Sequence, residues 1–249
     1  MTKICEFLNL YDFMKNFSIT PIHTATLPAV RNVIFINGFL NETHADFTEW
    51  LASESALDAT SNVYGVQWPS QSMADISEMM NALLQRKWGA LLKNPWHRAM
   101  KNAEKAGHAL GAALSQMTLP VTLVGHSLGC RVIYYALRHT KCAVDDVILL
   151  GGAVGNQSQD WENAARMVNG RIYNCHSMHD DVLKYSYRTS MAWLSAPIGY
   201  APIATQHPKI ANIDCSGIIT RHGQWKRHYG TIYDQLYKNY QNLDSLFTK

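Results

Sequence analysis

The chain has 249 residues, 47% hydrophobic and 16% charged, enough apolar material for one sizeable buried core. A formal charge of +3 is small for this length and gives no support for a nucleic-acid binder. Five scattered cysteines (Cys5, Cys130, Cys142, Cys175 and Cys215) contain no Cys-x-x-Cys pair. This argues against a zinc ribbon or disulfide scaffold and leaves them as small buried hydrophobes in a reducing compartment.

Met1 to Phe17 places Ile4, Phe7, Leu8, Tyr11 and Met14 at helical spacing among Glu6 and Asp12. The first 28 residues therefore read as an amphipathic segment, not a secretory signal. No apolar run nears the ~18 residues that cross a bilayer, so the expected location is cytoplasmic.

Val30 to Ile36 is a continuous apolar run, the mark of a strand covered on both faces, and it ends at Asn37-Gly38. Asn62 to Trp68 is a second strand. Met73 to Met117 carries two helical stripes broken near Pro95. A crossover between strands needs one helix, so residues 73–95 are expected to form a cap or lid. Arg86, Lys87, Lys93, Arg98, Lys101 and Lys105 sit there near Trp88 and Trp96. Such a face suits peripheral contact with an anionic membrane, although a solvated helix with core tryptophans explains it more simply.

Val121 to Val124 is the next strand, followed by Gly125-His126-Ser127-Leu128-Gly129 and then the helical pattern Leu128 to Arg138. Gly-x-Ser-x-Gly between strand and helix is the setting of a nucleophile elbow. The bend presents the serine hydroxyl, and side chains two residues to either side would clash. Leu128 then offers one backbone N–H to a developing oxyanion, and Phe39, just past the Asn37-Gly38 turn, is nominated for the second. Leu40 and His126 are expected to contact substrate.

Val147 to Leu150 is another strand, and Asp160 is expected to cap a helix holding Trp161, Ala164, Ala165 and Val168. Arg171 to Cys175 leads into His176-Ser177-Met178-His179-Asp180-Asp181-Val182-Leu183. In an α/β fold built around such an elbow, an acid follows the serine along the chain and a histidine follows the acid. Asp181 reads as the N-cap of a helix starting at Val182, which leaves Asp180 free as the acid. His176 and His179 with an Asp are too few for a zinc site, and no metal or other cofactor is expected.

Met191 to Ala204 is apolar and suits an acyl-pocket wall or core packing equally well. Asn212 to Ile219 is the last strand, and His222 follows it at the place a base should occupy. His228 is the second choice, whereas His207 precedes the strand. The final segment sets Tyr233, Leu236, Tyr237, Tyr240, Leu243 and Phe247 on one helical face. Strand alternating with helix predicts a mostly parallel, doubly wound α/β sheet in a single domain spanning residues 1–249.

Five stretches also resemble a family. They are Asn37 to Leu40, Val63 to Trp68, Leu123 to Tyr135, Ser177 to Lys184, and Asn212 to Ser216 leading to His222. In this order they resemble the poorly characterised α/β-hydrolase branch that includes the eukaryotic transmembrane and coiled-coil domain hydrolases. The resemblance implies the α/β-hydrolase fold, a Ser127, Asp180 and His222 triad, and a small-molecule or lipid ester as substrate. His179, Asp181 and Arg221 depart from that branch, which favours Asn, an aromatic residue and Gly there. The expected activity is that of a serine esterase or lipase, with acyl transfer or thioester cleavage by the same triad as the alternative. A non-catalytic scaffold would have no need of all three residues.

Overall fold

A computed structural model describes residues 15–38, 46–52, 58–70, 95–184 and 196–237. The expected lid at 73–95 lies outside them except for Pro95, as do Phe39, Leu40 and almost all of the N-terminal helix. The strands are β1 (Ser18–His23), β2 (Arg31–Ile36), β3 (Ser61–Gln67), β4 (Val121–His126), β5 (Val147–Leu150), β6 (Ile172–His176) and β7 (Ile210–Asp214). Between them run α1 (Thr48–Leu51), α2 (Pro95–Leu114), α3 (Leu128–His139) and α4 (Ser158–Ala165). A 3₁₀ turn covers His222–Gln224, and residues 229–237 are helical.

All seven strands form one sheet in the order β1-β3-β2-β4-β5-β6-β7. Every neighbouring pair is parallel except β1 with β3. Burial follows position in the sheet. The runs in β2, β4 and β5 are almost wholly buried, whereas β1 and β7 at the edges are only partly so. Continuous apolar patterning therefore identified the central strands, as parallel sheets covered on both faces require.

Two apolar layers cover those faces. Ile34, Ile36, Leu123 and Leu149 pack with residues of α2, α3 and α4 on one side. Val33, Phe35, Val124, Ile148 and Leu150 pack with Trp50, Trp225 and Tyr229 on the other. Pro95 opens α2, the helical position where a missing N–H costs least.

Three expectations need correction. β1 has no counterpart in the sequence reading; its Ser18-Ile19-Thr20-Pro21 looks like a turn, but an antiparallel edge strand tolerates proline, and its register shifts between Pro21 and His23. The last strand starts and stops earlier than Asn212 to Ile219, because Cys215 to Ile219 turn away in a loop. Asp160 lies in the first turn of α4, whose cap is Gln157.

The strand order has a functional consequence. From β2 the chain winds outward to β3, then returns to β4 on the other side of β2. Loops leaving the carboxyl ends of β2 and β4 thus border the crevice where open α/β sheets hold ligands.

Candidate active site

Ser127 stands at the end of β4 with φ 55° and ψ −119°, the one non-glycine of positive φ among the described residues. Its flanking glycines are forced by space. A Cβ on Gly125 would come within 2.7 Å of Ile133 Cδ1, and one on Gly129 within 2.2 Å of the Ile36 carbonyl. The bend is held by the Ser127 N–H on the Leu150 carbonyl (3.1 Å) and by the Ala153 N–H on the Ser127 carbonyl (3.0 Å).

The loop after β2 meets this bend directly. A Cβ on Gly38 would lie 2.8 Å from Ser127 Cβ and 2.9 Å from the His126 carbonyl. Asn37 anchors the loop at both ends. Its side-chain oxygen accepts the Trp50 indole N–H (2.8 Å) and its amide donates to the Asp46 carbonyl (3.2 Å), while its own carbonyl accepts the Trp68 indole N–H (3.0 Å). Leu128, first in α3 and fully buried, has an N–H with no acceptor one turn earlier in its helix.

The structure brings Ser127, His222 and Asp180 into one hydrogen-bonded line. His222 Nε2 lies 2.9 Å from Ser127 Oγ, and His222 Nδ1 lies 2.7 Å from Asp180 Oδ2. A carboxylate only accepts, so Nδ1 carries the proton and Nε2 is free to accept from the hydroxyl. The Asp180 side chain has no solvent exposure and that of His222 has 15%. His228, the second choice, lies further along, its N–H bonded to the Gln224 carbonyl.

Asp180 occupies this place for a different reason than expected. Its Oδ1 accepts the Leu183 N–H (3.0 Å), so Asp180 itself caps the helical turn that begins at 181. Asp181 is exposed and accepts the adjacent Val182 N–H. One carboxylate therefore fixes a helix with one oxygen and faces the imidazole with the other.

The loops that carry Asp180 and His222 are stitched together. Ser177 Oγ donates to the Ile219 carbonyl (2.6 Å) and the Met178 N–H donates to Ser216 Oγ (3.1 Å). Gln224 Oε1 accepts the backbone N–H groups of Thr220 and Arg221, closing the turn that carries His222. Arg221 is in extended backbone (φ −149°), open to any residue, so the turn forms without the glycine favoured in the resembling branch.

His126 contacts His222. Its Nε2 lies 3.3 Å from the His222 carbonyl and the two rings are 4.9 Å apart. A carbonyl cannot donate, so Nε2 is the protonated nitrogen of His126. Burial, then the neighbouring His222 and Lys226, hold its pKa well below the ordinary histidine value. Burial pushes the thiol pKa of Cys130 far up, and its Sγ lies 3.1 Å from the Gly125 carbonyl, so it stays a protonated, unreactive thiol. In the described part of the expected pocket wall, 196–204, Ile198 and Ile203 are buried in the larger core layer, so packing accounts for that stretch.

Sequence reasoning missed four supporting residues: Asn37 as a loop anchor, Ser177, Gln224 and Trp225. The Trp225 indole N–H donates to Asp180 Oδ2 (3.0 Å). Its only sequence signal is a tryptophan three residues past His222. Among the described residues, no group of three His, Cys, Asp or Glu side chains could hold a metal, and no helix is long and apolar enough to cross a membrane.

A mostly parallel seven-stranded sheet with a strained serine turn after its central strand defines an α/β-hydrolase fold. The chain belongs to the DUF726 family, described as proteins of unknown function, whose profile matches residues 84–238. An uncharacterised membrane protein of Schizosaccharomyces pombe is 27% identical over 246 residues, covering 84% of this chain and 31% of that one. The transmembrane and coiled-coil domain-containing protein STS1 of Oryza sativa is 33% identical over 144 residues (54% and 21%). The probable lipase MIL1 of Saccharomyces cerevisiae is 28% identical over 176 residues (68% and 15%). The chain thus spans less than a third of the length of these relatives. A solved thioesterase and esterase similar to it align with TM-scores of 0.45 and 0.42, too loose a likeness to carry the fold assignment, which rests on sheet order and turn geometry.

Proposed function

We propose that the protein hydrolyses carboxylic esters through an acyl-enzyme on Ser127. The observation that carries this reading is the unbroken Ser127–His222–Asp180 line, with contacts of 2.9 and 2.7 Å, beside the crevice between β2 and β4. As Ser127 Oγ attacks the ester carbonyl, His222 Nε2 takes its proton, and Asp180 stabilises the imidazolium that results. The Leu128 N–H faces the oxyanion, with the Phe39 N–H as the proposed second donor, and removal of one such donor costs ~10²–10³ in turnover. Collapse expels the alcohol, which recovers the proton from His222. Water activated by the same imidazole then releases the acid. The likeness to a relative named as a probable lipase supports an ester of lipid type.

Labelling with a fluorophosphonate tests this reading. Wild type is expected to be labelled at Ser127 and to turn over p-nitrophenyl esters, and Ser127→Ala to do neither. Absence of label on folded wild type would overturn the proposal. Acyl esters and thioesters graded by chain length, with and without detergent, then define the substrate.

A further inference from the structure

Trp225 sits fully buried, one position beyond the turn that carries His222. A buried indole needs a partner for its N–H. Trp50 and Trp68 find one in Asn37, and Trp161 finds one in the Gly155 carbonyl. Unlike these three, Trp225 gives its N–H to a carboxylate, and the atom it meets is Asp180 Oδ2, the oxygen that also faces His222.

The indole is held from behind. Gly151, at the end of β5, has φ +54°, and a Cβ there would lie 2.3 Å from Trp225 Nε1 and 2.8 Å from Cδ1. The backbone after β5 thus passes against the indole edge, leaving the ring no room to retreat from Asp180. The carboxylate, sealed from water, must find its hydrogen bonds inside the protein. Leu183 serves one oxygen; Trp225 and His222 share the other.

We propose that Trp225 is a positioning residue for the reaction, acting through Asp180: its indole N–H fixes the plane of the carboxylate and disperses negative charge on Oδ2 that would otherwise face the imidazole undiminished. This rests on the reading of Ser127 as the nucleophile. Charge left on Oδ2 stabilises protonated His222, and protonated His222 cannot accept from Ser127. Losing the indole donor therefore moves the acidic limb of reactivity to higher pH.

The test is the rate of fluorophosphonate labelling of Ser127 followed from about pH 5 to 9. Trp225→Phe keeps most of the ring and removes the N–H. Its acidic limb is expected to move up by about half a pH unit, with the plateau rate about tenfold lower. Site-specific replacement of Trp225 by benzothienylalanine exchanges the N–H for sulfur in a ring of nearly the same shape. It is expected to show the same displacement even if Trp225→Phe folds poorly. An acidic limb that stays at the wild-type position in the benzothienylalanine protein, or moves to lower pH, overturns the proposal. Failure of wild type to label at all is a different result and sinks the reading of Ser127 instead.

Discussion

Strands β4 and β5 lie side by side, and the chain leaves each through a residue of nearly the same positive φ: 55° at Ser127 and +54° at Gly151. At position 151 the residue is glycine, and the space a side chain would fill belongs to the Trp225 indole. At position 127 a serine is kept in a sparsely populated region of backbone space, at a cost of about 1–3 kcal/mol. The same positive φ is thus strain-free at a glycine and strained at a serine. The β5 turn in turn backs the indole that holds Asp180, so the relaxed bend supports the strained one.

Substitutions at Ser127 break the comparison most sharply. Ser127→Ala and Ser127→Gly are each expected to lose on the order of 10⁶ in turnover. Only the glycine relieves the backbone, so Ser127→Gly should be more stable than Ser127→Ala by about 1 kcal/mol in denaturant unfolding. Ser127→Gly less stable than Ser127→Ala by about 0.4–1 kcal/mol, the entropy that glycine adds to the unfolded chain, would mean that the bend stores no strain. Asp180→Asn comes next, with an expected loss of about 10⁴ in turnover. An amide cannot reproduce a carboxylate that accepts from Leu183, Trp225 and His222 together. Loss of less than tenfold would show that Asp180 serves mainly as a helix cap.

Gly151→Ala probes the relaxed bend. The left-handed backbone and the overlap with the indole together should destabilise the fold by about 2–4 kcal/mol. Gly223→Ala, beside His222, meets nothing within 4 Å and should change stability by no more than about 0.5 kcal/mol. Similar melting temperatures for the two variants would refute the packing of Gly151 against Trp225.

These two bends also mark how far the sequence is legible. Gly125 to Gly129 is a local pattern set between an apolar run and a helical stripe, so the β4 bend and Ser127 could be read from neighbours alone. Asp180 and His222 followed from chain order, but the capping argument that separated Asp180 from Asp181 assigned the cap to the wrong residue. Both carboxylates suit that turn, and only the path of the chain decides which is buried. Gly151 and Trp225 were not legible as partners, because 74 positions separate them and the contact exists only once β5 and the His222 turn converge. β1 escaped because an edge strand with a proline lacks the buried run that marks the centre of the sheet.

The smallest expected effect is on acid stability, and it again separates the two bends. His126 precedes the strained bend, and its partner across the ladder, just before the relaxed one, is Leu150, which does not titrate. Burial lowers the pKa of His126, and of His108 and His176, below the ordinary value of 6.5. As pH falls through 6.5 the unfolded chain takes up protons that the folded chain refuses, so stability declines. Asp46, Asp58 and Asp214 have lowered values as well, so the stability they supply is lost only near and below 3.8 and does not mask this window. His126→Gln keeps a side-chain N–H for the His222 carbonyl and removes the titration. Between about pH 7.5 and 5.5 its melting temperature should fall less than that of wild type, by about 2–4 °C. Parallel melting curves for the two proteins would place the acid sensitivity at His108 and His176, away from the serine bend.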